Sequence, residues 1–374
     1  MVNLGIDESY AVERMRTLIL HPEFPGERYE WHLTSSPIAY SQSPDSLIAT
    51  TRDLIFCPKD TGTYFFRLNI IDQQNPVTHQ FKVVVWEEQV AYSPYISKVL
   101  EYNPAPGQFI NTMPQYEEGD TYETMRQKAE ESIAGTNRSL ISLGAWGGYV
   151  TFAFDHSVVN NPNQSDFLIE GNSFYASTTS KGGSSEPGIV TVSIDINQNG
   201  LPDDPFYQLA GSEYTTPSTL HQYSITYHRT PADHTPQPDK KNSITDSTYI
   251  RWMDNQNQTG YLHKNTFIHR SISLSGLRIP CSLLLVLGCR IMPMTPTGKV
   301  HTGYNNLLST AMLTAILTIA SLVVRLILIG QLRTMENLSI CLAWTSCAFI
   351  RSSSNNAVGL AKFPPKSPTP AIYI

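Results

Sequence analysis

The chain has 374 residues and a formal net charge of −6, but the charge is uneven: residues 1–254 carry 31 Asp or Glu against 16 Lys or Arg, whereas residues 255–374 carry one acid, Glu336, against 10 Lys or Arg. The first part, at 16 − 31 = −15, argues against nucleic acid as a partner, because phosphate binding needs a basic face. Its single cysteine, Cys57, is expected in a buried strand and leaves no disulfide framework.

Residues 1–10 (MVNLGIDESY) have neither a basic n-region nor an apolar h-region, so no secretory signal is legible there. Either the protein is cytosolic or its start is misplaced, and the character of the residues that follow favours a lost signal. Residues 18–90 are read as an immunoglobulin-like sandwich. Tyr29 to Leu33 form a short strand with Trp31 as a core plug. Asp60, Gly62 and Tyr64 give an Asp-x-Gly-x-Tyr step before two apolar strands at 65–71 and 80–86, with the turn 72–76 between them. That step is where a tyrosine corner sits in such folds. The segment resembles a PKD-type domain of bacterial surface proteins, which implies a spacer or adhesion module.

A second domain is expected over residues 91–266. After a stiff, proline-set loop at 102–109 comes one predicted helix, capped by Asp120, with Glu123 at its third position, Met125, Ala129 and Ile133 on one face, and Gly135 as the stop. The rest is β: 142–154 (SLGAWGGYVTFAF), 167–174, 188–194, 223–227 and 248–252. Short strands between loops, with one helix, predict a jelly-roll-like β-sandwich, so the fold class is mainly β.

Residues 267–374 are read as an out-of-frame tail. The stretch 339–350 (SICLAWTSCAFI), read two bases later, can give YLPGVDFVRIH: alternating apolar residues around a Pro-Gly turn. Windows at 268–276, 286–304 and 351–366 shift in the same frame to β-type, turn-rich sequence. The rival is a membrane helix at 307–330, long enough for about 30 Å of hydrocarbon. It is diluted by Ser309, Thr310, Thr314, Thr318 and Ser321, contains Arg325 and lacks an aromatic belt. The tail is therefore expected to be non-native, packing poorly or forming an isolated helix near 307–330. Its four cysteines, Cys281, Cys289, Cys341 and Cys347, have no metal-ligand spacing.

The strongest chemical signal is the loop 195–204. Calcium takes six to eight hard oxygens at about 2.3–2.6 Å. Asp195, Asn197, Asn199 and Asp203 offer side chains at loop positions 1, 3, 5 and 9, Gly200 makes the turn, Leu201 can add its carbonyl, and Asp204 stands by as a further ligand. The plain alternative is an Asx-rich hairpin turn that binds nothing. Candidate ligand-binding residues are Trp146 and Tyr149, as a stacking platform or as core, Asp155 and His156 at a strand end, and Glu186 in a strand-entry turn. No Ser/His/Asp signature, Walker loop, GxGxxG or HExxH occurs.

The segments EYNPAPGQFIN, SLGAWGGYVTFAFDHSVVN, EGNSF, EPGIVTVSIDINQNGLPDD, YQLAGSEY and YIRWMDNQNQTGY together resemble a family of Bacteroidetes cell-surface proteins. These pair a PKD-like domain with one large β-domain and begin with a lipoprotein-type signal. The resemblance implies an outer-membrane location and neighbours in nutrient uptake, cobalamin uptake among them. The expectation is a non-catalytic, calcium-stabilised surface protein that binds a small molecule or glycan. A glycan-acting hydrolase using Asp155, Glu186 or Glu213 is the first alternative, and a structural spacer the second.

Overall fold

The computed structural model describes residues 4–37, 45–73, 76–136, 139–159, 166–170, 174–175, 183–184, 188–210, 214–215, 217, 219–240, 243–265, 270–271, 283–286, 289–290, 322–328, 346–347 and 371–373. Within them the chain is mainly β, of the β-sandwich class, with one helix.

Seven strands come first: β1 (Ser9–Glu13), β2 (Leu18–Leu20), β3 (Arg28–Ser35), β4 (Ser46–Ala49), β5 (Leu54–Phe56), β6 (Gly62–Ile71) and β7 (Val77–Trp86). Among the described residues they pair with one another, as a sheet of order β1-β7-β6-β3-β4 and a β2-β5 pair. The period-2 pattern decides which face is buried. Tyr64, Phe66, Leu68 and Ile70 of β6 point inward with Phe81, Val83 and Val85 of β7, onto Leu20 and Leu54 of the opposite pair. Phe66 stacks on Phe81 at 5.0 Å. Trp31 is fully buried, and its indole N–H donates to the Thr51 carbonyl at 3.0 Å. Burying an apolar side chain of this kind contributes about 1.5–3 kcal/mol. The tyrosine corner is present: the Tyr64 hydroxyl donates to the Asp60 carbonyl at 2.9 Å.

The second part holds β8 (Lys98–Asn103), β9 (Gly107–Gln108), α1 (Tyr122–Ile133), β10 (Ser142–Gly144), β11 (Tyr149–Ala153), β12 (Leu168–Glu170), β13 (Phe174–Tyr175), β14 (Gly183–Ser184), β15 (Gly188–Ile194), β16 (Tyr207–Gln208), β17 (Thr219–Leu220), β18 (Tyr223–His228), β19 (Ile244–Asp254) and β20 (Thr259–Asn265). Helix α1 buries Met125, Ala129 and Ile133, the face its spacing predicts, against Val99, Val150 and Phe152. It also covers an open sheet edge. Glu130 accepts the Val99 N–H of edge strand β8 at 2.8 Å, and Arg126 donates to the Val99 carbonyl. An edge strand whose polar groups are satisfied in this way offers less to a foreign strand. A second core joins Tyr223, Ile225 and Tyr227 of β18 and Ile250 and Trp252 of β19 to Trp146 and Ile189.

The cap differs from expectation. Thr121, not Asp120, is the N-cap, in a reciprocal capping box with Thr124, so Glu123 falls one position earlier in the first turn. The Asp120 carboxylate instead accepts the Glu117 N–H and pairs with Lys128, both at 2.7 Å. Thr121 wins because its hydroxyl and its own N–H both find partners on Thr124. Gly135 stops the helix as expected, in the left-handed region at φ 64°.

The tail departs from the sequence expectation more sharply. It contributes β21 (Arg270–Ser271), β22 (Leu283–Val286), β23 (Cys289–Arg290), β24 (Leu322–Leu328), β25 (Ser346–Cys347) and β26 (Ala371–Tyr373). The sheets run β16-β15-β24-β11-β8 and β20-β19-β18-β22. Residues 322–328 are thus not an isolated helix but a strand paired on both sides, antiparallel to β11 and to β15. The register sets Val324 between Phe152 and Val192, Leu326 between Val150 and Val190, and Arg325 between Thr151 and Thr191. Two physical reasons favour a strand. LVVRLIL is rich in β-branched and strand-favouring residues, and the gap between β11 and β15 would otherwise leave two rows of peptide groups unpaired. The remainder of 307–330 lies outside the described residues. Among the described residues no helix is long and apolar enough to cross a membrane.

Candidate functional site

The loop 195–204 joins the end of β15 to β16 and is exposed. Its shape comes from side chains capping its own backbone. Asp195 accepts the N–H of Asn199 on Oδ1 at 3.0 Å and that of Gly200 on Oδ2 at 2.9 Å. Asn197 Oδ1 accepts the Asn199 N–H at 3.0 Å, and Asn199 Oδ1 accepts the Leu201 N–H at 2.7 Å. The turn needs two left-handed residues, Gln198 at φ 57° and Gly200 at φ 73°. Asx side chains bonding to the backbone two residues on make this kind of turn.

The same loop brings Asp203 back onto Asn197 and Asn199. The Asn199 side-chain amide donates to Asp203 Oδ2 at 2.9 Å, and that of Asn197 donates to Oδ1 at 3.4 Å. Asp195 and Asp203 therefore both bond to Asn199, the first through its backbone N–H and the second through its side-chain amide. Asp204 turns elsewhere, with Oδ2 accepting the Ile196 N–H at 3.1 Å. Among the described residues no three His, Cys, Asp or Glu side chains gather as a metal-holding set.

The donor set fits a hard cation in part. Each Asp195 oxygen takes one N–H and keeps a lone pair, and the Leu201 carbonyl belongs to the same turn. At Asp203, however, the neutral amide N–H groups of Asn197 and Asn199 already engage the two oxygens that calcium would take. Binding there requires those two amides to turn away.

The other candidate residues are used in packing. Trp146 is fully buried, edge-on to Tyr223 at 5.1 Å, and its backbone carbonyl accepts the Tyr227 hydroxyl at 3.1 Å. It is core, not a stacking platform, and Tyr149 packs half-buried against the same cluster. The glycines around Trp146 serve close backbone approach. A Cβ on Gly144 would lie 1.9 Å from the Ala105 carbonyl oxygen, and one on Gly148 would lie 1.7 Å from that of Leu143. His156 is buried, and its Nδ1 lies 2.7 Å from Asp155 Oδ1, while Asp155 Oδ2 accepts the Ser93 N–H at 2.9 Å. This pair belongs to the junction between the two parts of the chain. Glu186 and Glu213 lie outside the described residues.

A second His–Asp pair was not foreseen from the sequence. Asp246, buried at an irregularity of β19, has Oδ2 2.7 Å from His234 Nε2. Its Oδ1 accepts the N–H groups of Gln237 at 3.1 Å and Thr248 at 3.0 Å and the Thr248 hydroxyl at 3.1 Å. Burial pushes its pKa up, but the Thr248 and Gln237 N–H groups, with His234 and the Thr248 hydroxyl, together hold it below the usual carboxylate value. The sequence signal was faint: one acid among the polar residues that open β19, after the proline-rich stretch 231–238. The chain matches no protein-family model and no curated protein.

Proposed function

We propose that the chain is a non-catalytic surface protein that binds a small molecule or glycan next to outer-membrane uptake proteins, with calcium at the loop 195–204. The observation that carries the metal reading is the convergence of Asp195 and Asp203 on Asn199. A cation held by Asp195, Asn197, Asn199, Asp203 and the Leu201 carbonyl would fix the turn between β15 and β16. Anything that binds only the folded state stabilises it by mass action. The experiment is calorimetric titration with calcium, beside thermal unfolding with and without it. Heat of binding and a raised Tm are expected, both absent in Asp195→Ala. No heat and no shift would leave the loop as an Asx turn.

The spacer reading is favoured by one observation: Trp146, Asp155 and His156 are all consumed in packing. It predicts that glycan arrays and small-molecule screens find no ligand. For the hydrolase reading, Asp155 is the one of its three carboxylates among the described residues, and it is tied to Ser93 and His156.

A further inference from the structure

We propose that the segment 87–94 is a strap that locks the two sandwiches into one rigid body, so that the first is a fixed bracket for the second and not a swinging spacer. Movement between such units is the default unless the junction between them is extensively held. Here it is held from three directions.

The near end of the strap is fastened to the first sandwich. Arg14 forms a two-pronged ion pair with Glu88, and the Arg14 N–H donates to the Trp86 carbonyl at 2.9 Å. The Tyr92 hydroxyl donates to the Arg14 carbonyl at 3.1 Å and reaches Glu13 at 3.4 Å. The far end is fastened to the second sandwich by the Ser93 N–H on Asp155. Between them the Tyr92 ring meets one side chain from each part. The Arg16 guanidinium lies 5.3 Å from the Tyr92 ring centroid, and that ring lies on His156 at 4.9 Å with 20° between planes. Arginine over an aromatic face and ring on ring are both attractive arrangements.

A third contact bypasses the strap. The buried Ser157 donates its N–H to the Met15 carbonyl at 2.8 Å, and its hydroxyl lies 3.0 Å from that of Thr17. Met15 has φ 56°, the left-handed region that side-chain-bearing residues avoid. Its own N–H donates to the Pro58 carbonyl at 2.7 Å, and with that bond in place its carbonyl faces Ser157. Such conformations persist where the surroundings over-determine them. At Met15 the two sandwiches together do so.

The test measures distance distributions between spin labels at Lys82→Cys and Arg251→Cys, both exposed, in the full chain with Cys281, Cys289, Cys341 and Cys347 changed to Ser. The expected result is one narrow distribution, broadened severalfold by Tyr92→Ala with Ser157→Pro and left narrow by Tyr92→Phe, which keeps the stack. If the double variant does not fold, Arg16→Gln with Tyr92→Leu takes its place and is expected to broaden the distribution as well. A broad distribution with the junction intact, or a narrow one in the folded junction variants, overturns the proposal.

Discussion

The Tyr64 hydroxyl reaches back four residues to the Asp60 carbonyl, 2.9 Å away, while its ring packs edge-on to Phe56 at 5.2 Å. One side chain thus fixes both the turn before β6 and the contact between the two layers of the first sandwich. Tyr64→Phe keeps the ring and removes the hydroxyl. It is expected to cost about 1 kcal/mol, the net worth of one such bond. Urea unfolding of the two proteins, with equal slopes and a lower midpoint for the variant, is the measurement that checks it.

Asp246 gives the molecule an acid-sensitive contact. Its folded-state pKa lies below the unfolded value, so the stability it contributes is fully present above the ordinary carboxylate range near 3.9 and is lost as pH falls through the lower folded value. Asp246→Asn should be less stable near neutral pH by about 1.5–3 kcal/mol, the worth of hydrogen bonds to a charged group. The gap should narrow once the pH falls below the ordinary carboxylate range and the native carboxylate takes up its proton. Denaturation series at several pH values test this. A gap that stays constant would mean that the charge contributes nothing.

Burial pushes the Cys57 thiol up to about 12, and it faces Ser157 at the junction. The nucleophile is the thiolate, so the native thiol should be inert at neutral pH. With the four tail cysteines changed to Ser, a thiol reagent should label the folded protein slowly and the urea-unfolded protein fully within minutes. Fast native labelling would show that the junction opens freely.

The gene itself is expected to show a frame break between about Tyr261 and Arg270, with the two-base-shifted frame open to the end. Sequencing the DNA checks this, and stop codons throughout that frame would end the idea. The central position of β24 weighs against it in one respect, because a strand at 322–328 that pairs on both sides is more than an unselected tail owes to its sheet.

How far the sequence carried depended on the range of the interactions. The core of the first sandwich was legible because period-2 alternation in β6 and β7, Trp31 within a short strand and a local tyrosine corner are near-neighbour signals. The helix face was legible for the same reason, and the N-cap was missed by one residue because Asp120 and Thr121 are both good caps. Trp146 was not decidable, since glycines that let the backbone of 104–107 come close look the same in sequence as glycines around a ligand. The His234–Asp246 pair and the Asp155–His156 junction were invisible as structure. Each is made by segments whose meeting is decided by the fold, not by spacing.

The place of β24 has a consequence for how the protein is made. Its partners β11 and β15 leave the ribosome long before it, so two strand edges of one sheet wait open while the chain from Ile194 to Leu322 is synthesised. Long-range pairing of this sort is slow, and open edges meanwhile can recruit strands from other chains. A chain stalled or clipped before Leu322 would present that slot permanently, and a short apolar peptide added in trans could fill it.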